Sequence, residues 1–197
     1  MWIVATAALL AGFSPAPVSD SLSLSHRAHA VASRRESIPT IARIAGIRVG
    51  LDSIERMQRM HGTFMAITGG HSGGGRVWDL SKFGLELHAD GFEYSRRGRV
   101  VDEVWLSSYG GPHRVLTGRS VRRIGWLRAV VPGQSMLQVR RLTARLPKPR
   151  IRGDVWTWRA TGFARTTSNA TMPFLDWTAK LTFRSGRLDE IHVTDCR

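Results

Sequence analysis

"RRGRVVDEVWL", residues Arg96–Leu106, decides how this chain is read, because it returns as "RSGRLDEIHV" at Arg184–Val193. Both stretches run Arg-x-Gly-Arg, then an aliphatic residue, then Asp-Glu, then alternating apolar positions. The first carries one extra residue before Asp102. Each follows another alternating segment, "LELHADGFEYS" before the first copy and "WTAKLTF" before the second. Successive strand side chains point to opposite faces, so alternation on both sides of a polar, glycine-containing turn predicts a β-hairpin. The turns are expected at Arg97-Gly98 and Ser185-Gly186.

Upstream of each hairpin lies a tryptophan-bearing strand pattern, "GGRVWDLSKFGLEL" in the first copy and "GDVWTWRATG" in the second. Before each of these comes a short helical pattern. In the first, Ile54, Met57 and Met60 recur at helical spacing, Asp52 or Ser53 can cap the start, and Gly62 can end it. In the second, Met136, Val139, Leu142 and Leu146 form one face, Ser135 caps, and Pro147 stops the helix. The expected fold class is α+β. It would consist of two tandem units, residues 41–108 and 121–197, each a short helical segment packed on an antiparallel β-sheet, with a linker over 109–120.

This order of elements resembles the outer-membrane assembly lipoproteins called BamE, or SmpA/OmlA, and the β-lactamase inhibitory protein fold, which carries two such units in tandem. Gly133, Ser135, Val139, Leu146, Pro147, Trp158 and Gly186 carry the resemblance in the second copy, and Gly50, Gly62, Trp78 and Gly98 in the first. The resemblance implies helices on one sheet face, an extracytoplasmic location, and protein binding without catalysis. The chain departs from the lipoproteins in having no cysteine after its apolar N-terminal run, and from the inhibitors in lacking evident acidic loops.

The run from Trp2 to Phe13 is short for a bilayer span and suits the hydrophobic region of a signal peptide, expected over residues 1–16. Residues 17–40 are rich in Ser, Ala and Pro and read as a flexible tether. An exported, periplasmic or extracellular protein is the expectation. Cys196 is the single cysteine, so no intrachain disulfide and no cysteine-based zinc site can form. Export without disulfides places the burden of stability on the apolar core.

The formal charge is +14 with a pI near 11.6. Such a chain favours anionic surfaces, including nucleic acid, acidic glycan and anionic lipid. Arginine-rich composition from a G+C-rich genome explains the same bias without any partner. The charge is uneven, however: from Arg114 to Arg165 the chain holds many arginines and Asp154 as its one acid.

The glycine loop "GGHSGGG" before Arg76 resembles a phosphate loop only superficially. No Lys-Ser/Thr follows, and the next element is a strand rather than a helix whose N–H groups could hold an anion. Read as a connector, it leaves His71 and Arg76 as candidate loop contacts. His88 and Asp90 share a strand face with spacing that could meet His71, but a lone strand histidine is more often a surface residue. No metal site and no cofactor are expected. The Asp102-Glu103 and Asp189-Glu190 pairs fall on adjacent strand positions, split across the sheet, and read as cross-strand partners of Arg99 and Arg187.

Trp156 and Trp158 share one face, as do Phe92 and Tyr94. If helices cover one face of each sheet, these aromatics are candidate partner-binding residues, together with Arg122, Arg123, Arg140 and Arg141. Arg140 and Arg141 point outward if Val139 and Leu142 face the core. The leading expectation is a non-catalytic binding protein that meets a protein or anionic envelope component through a sheet face, with peripheral membrane contact compatible with its charge. The alternatives are an anionic-polymer binder and a small hydrolase using the His71/His88 region. The sequence sets neither the partner nor the oligomeric state.

Overall fold

The second hairpin forms where the repeated motif places it, and the first is displaced by one residue, because Gly98, expected in the turn with Arg97, is already paired on its strand. Strands β5 (Leu85–Ser95) and β6 (Gly98–Ser108) pair antiparallel with Ser95 opposite Gly98. Strands β9 (Leu175–Arg184) and β10 (Arg187–Cys196) do the same with Arg184 opposite Arg187. At the second turn Ser185 and Gly186 have φ of 51° and 73°, the left-handed pair of a two-residue turn whose twist matches its strands. The computed structural model describes residues 37–67, 75–95, 98–108, 118–162 and 175–196. The expected signal peptide over residues 1–16, most of the expected tether over 17–40 and the body of the glycine loop lie outside these residues.

The division into two helix-on-sheet units is not what the chain adopts. The remaining strands are β3 (Met65–Ile67), β4 (Gly75–Leu80), β7 (Arg150–Arg152) and β8 (Val155–Gly162). All belong to one eight-stranded antiparallel sheet in the order β3-β4-β5-β6-β10-β9-β8-β7. A small two-stranded hairpin, β1 (Arg43–Ile44) and β2 (Ile47–Arg48), stands apart from it. The molecule is therefore mostly antiparallel β, not an α+β tandem. The physical reason lies at the seam. Each hairpin alone would leave the outer side of β6 or β10 as a long unpaired edge, and joining them satisfies both rows of backbone groups. Val104 then faces Val193, and Leu106 faces Ile191, all four fully buried, so the apolar layer runs unbroken across the seam.

The Asp-Glu pairs have a role that alternation alone misassigns. Asp90 pairs with Glu103 and Gly91 with Val101, which leaves Asp102 as an extra residue on β6. Leu188 pairs with Phe183 and Glu190 with Thr182, which leaves Asp189 as an extra residue on β10. Each aspartate sits at a β-bulge, where the strand bends and its twist increases. Asp189 meets Arg184 at 3.5 Å and accepts from the Ser108 hydroxyl, whereas Arg187 donates to the Gly133 carbonyl at 2.9 Å. The expected Asp189–Arg187 pairing is thus replaced.

One face of the sheet is covered. The covering layer comprises a 3-10 turn at Thr40–Ala42, the β1–β2 hairpin, and helices α1 (Ile54–His61), α2 (Arg119–Ile124) and α3 (Met136–Leu142). Ile41, Ile44, Ile47, Met57, Ile124 and Val139 pack from it onto Leu87, Leu106, Trp177, Leu181 and Ile191 of the sheet. Tryptophans tie the layers together, because a buried indole N–H must find an acceptor. Trp78 donates to Gly62 O, Trp158 to Pro147 O and Trp177 to Val49 O, while Trp126 donates to Ile41 O within the covering layer.

The helices start as their caps dictate. Ser53 accepts from Arg56 N, and Ser135 with Gln138 forms a reciprocal capping box. α3 ends at Leu142, short of Pro147, and Leu142 is 42% exposed rather than facing the core. His61 at the end of α1 donates Nε2–H to Ala45 O at 2.9 Å. Burial pushes its pKa below the usual 6.5, and Arg123 adds to that effect against the opposing bond to Ala45. No helix among the described residues is long and apolar enough to cross a membrane.

Candidate functional site

The opposite face of the sheet carries the polar half of the alternation. Along β9, Leu175, Trp177, Ala179, Leu181 and Phe183 are buried, while Asp176, Thr178, Lys180, Thr182 and Arg184 are not. The register aligns such residues into rows. One row crosses the whole sheet: Met65, Val77, His88, Trp105, His192, Lys180, Thr157 and Arg150.

Trp105 and His192 form the centre of this row. They hold the same position in the two copies of the motif, three residues after the bulged aspartate, and face each other directly across β6 and β10. Their rings stack at 4.7 Å between centroids and 15° between planes. Each histidine beside Trp105 has its own carboxylate. His192 Nε2 contacts Glu103 Oε1, and His88 Nε2 lies 2.9 Å from Glu86 Oε2. An imidazole–indole–imidazole band is therefore held in place by the sheet register, a ring stack and two carboxylates. Its rotamers are ordered before any partner arrives, which lowers the entropy cost of binding.

Charge divides the same face. Asp79, Glu86, Asp90, Glu103 and Glu190 lie on β4, β5, β6 and β10. The Ser81 backbone N–H, 2.7 Å from Asp79 Oδ1, holds that carboxyl below the usual carboxylate range. Arg150, Arg152, Arg159 and Lys180 lie on β7, β8 and β9. Asp176 is the exception on that half and accepts from the Thr161 hydroxyl.

The residues expected from the sequence to bind a partner are placed as follows. Trp156 and Trp158 are 4% and 3% exposed and belong to the core, so they do not supply the exposed aromatic pair. Their face of β8 is the covered one. Trp158 packs on Trp126, and Trp156 on Phe183. Phe92 and Tyr94 fall on β5, with side chains outside the described set. Arg122 and Arg123 lie on α2 and are exposed, as are Arg140 and Arg141 on α3. Arg140 reaches over the Trp156 ring at 5.8 Å. Arg76 begins β4 half-buried, with its guanidinium over the Phe64 ring at 5.3 Å. His71 lies outside the described residues.

Two grooves, of about 410 and 370 Å³, lie around β7 and are lined by neither His88 nor His192. Among the described residues, no group of three or more His, Cys, Asp or Glu is placed to hold a metal ion. Trp105 stands at an alternating position of the repeated motif and was not among the contacts expected from the sequence. The signal was present in the repeat, since residues at matching positions of two like hairpins meet when their outer strands pair. No protein-family model, curated protein or solved structure matches this chain.

Proposed function

We propose that this is a non-catalytic, extracytoplasmic binding protein that meets a protein partner through the open face of its sheet. The observation that carries the reading is the Trp105–His192 stack, central on the face opposite the core and fixed before binding. Aromatic anchors near the centre of a patch, ringed by polar groups, are where binding energy concentrates in protein interfaces. The flanking acidic and basic halves give such a patch an orientation, since a partner must present opposite charges in the right order. The apolar run at Trp2–Phe13 supports export.

The test uses the full chain as bait in an envelope extract of the source organism, beside Trp105→Ala/Lys180→Glu. A protein retained by the parent and lost by the variant supports the reading, and its binding should fall only modestly between low and physiological salt. Retention of the same protein by both baits contradicts it. Steep salt dependence would instead indicate a polyanion, whose counterions are released on binding.

A further inference from the structure

The sheet ends at β7, whose outer backbone edge and covered-side groove are features that the open face does not use. All three residues, Arg150–Arg152, are exposed, and among the described residues β7 pairs with β8 alone. In an antiparallel pair, alternate residues turn their N–H and C=O groups away from the neighbour, so the outer side of β7 offers bonds to an incoming chain. A groove lies on each side of the strand. On the covered side it measures about 410 Å³ and is mainly apolar, lined by Leu146, Pro147, Ile151 and Trp156 with Arg140 and Lys148 beside them. Ile151 is 51% exposed there, an apolar side chain without a cover. On the open side the groove measures about 370 Å³ and is lined by Lys148, Arg150, Arg152 and Arg159. None of these four cations has an acidic partner among the described residues.

An added strand sends its side chains alternately to the two faces. Beside β7, one set would enter an apolar groove and the other a basic one. Two positively charged edges repel each other, so the same charges disfavour pairing with a second copy and select an acidic strand. We propose that β7 is a docking edge for an extended acidic peptide, which adds as a ninth strand with carboxylate and apolar side chains alternating. The backbone supplies affinity, and the two grooves supply the period-two preference. This inference shares Arg150, Arg152 and Arg159 with the basic half of the open face but rests on the backbone edge of β7, so the N-methyl comparison and Trp105→Ala separate its failure from that of the open-face reading.

The probe is a short fluorescent peptide alternating glutamate and valine, titrated into the full chain by anisotropy. Its controls are a peptide of the same composition in two blocks, and two versions N-methylated on alternate amides in opposite phases. The alternating peptide should bind at least about tenfold tighter than the block peptide. One phase of N-methylation should abolish binding and the other spare it. Arg150→Glu/Arg152→Glu should weaken binding at least about tenfold, and Trp105→Ala should leave it unchanged. Equal binding of alternating and block peptides overturns the proposal, as does equal tolerance of both N-methyl phases. Tighter binding of heparin or a single-stranded oligonucleotide at the same arginines overturns it too, in favour of a polyanion site. The N-methyl comparison uses the unaltered protein, so misfolding of a variant cannot blur the outcome.

Discussion

On the covered face of the sheet, Trp78, Trp158 and Trp177 lose nearly all exposure, and each indole N–H bonds to a carbonyl in the layer above. On the open face, Trp105 keeps part of its surface in solvent and lies flat against His192. The side chain is the same in both places, and what lies above it differs. A strand tryptophan stabilises the fold where helices and turns close over it, and remains available for contact where they do not.

The strongest way to break this comparison is to remove one ring from each face. Trp177→Ala empties a fully buried site and loses the bond to Val49, so unfolding in denaturant should show a loss of about 3–5 kcal/mol. Trp105→Ala should cost under about 1 kcal/mol in the same assay, because its site is already wet on one side. Equal costs would mean that the open face is structural after all.

Gly91 tests the bend that lets one face wrap the covering layer. It stands opposite the bulge at Asp102, and a Cβ there would lie 2.2 Å from the Val100 carbonyl oxygen. Because that neighbour is backbone, Gly91→Ala should destabilise by about 1–3 kcal/mol. Gly153→Ala, at a turn with open space around it, provides the contrast and should cost about 1 kcal/mol or less through its positive φ alone. A smaller effect is expected at the covering layer, where Ser135→Ala removes half of the α3 capping box and should cost about 1 kcal/mol by thermal unfolding.

His61 should give the covering layer a pH dependence. Its folded pKa lies below 6.5, so the unfolded chain binds the proton first. The stability from keeping His61 neutral is present above pH 6.5 and is lost as pH falls from there through the lowered folded value. Midpoints measured along that window should drop more steeply for the parent than for His61→Gln. Parallel curves would remove His61 as the cause.

Much of the strand pattern was legible in the sequence. The hairpin turn at Ser185-Gly186 follows from alternation around a polar glycine turn, the first hairpin follows to within one residue because Gly98 already pairs with Ser95, and the Ser53 and Ser135 helix starts follow from their caps. The joining of β6 to β10 was not legible, because period-two alternation fixes which side chains share a face but not which strand lies alongside. The same limit explains the misplacement of Trp156 and Trp158. Alternation put them on one face together, but only the covering layer, assembled from segments as distant as Ile41 and Trp126, determines that this face is buried. The Asp-Glu repeat was seen and misread. Alternation does not mark the bulges: both copies bulge at the aspartate, although only the first carries an extra residue before it. Trp105 and His192 could have been paired from the repeat alone, had the strands carrying it been set edge to edge.

Site-specific photo-crosslinking reads most directly whether the open face is the contact surface. Benzoylphenylalanine would replace Lys180 or Thr194 on the open face and, separately, Arg141 on α3 and Arg145 beyond it, all in the full chain within its native envelope. The account predicts a discrete protein adduct from the open-face positions and none from Arg141 or Arg145. Adducts from Arg141 and Arg145 alone, with the sheet positions silent, would contradict it and move the interface to the helical layer.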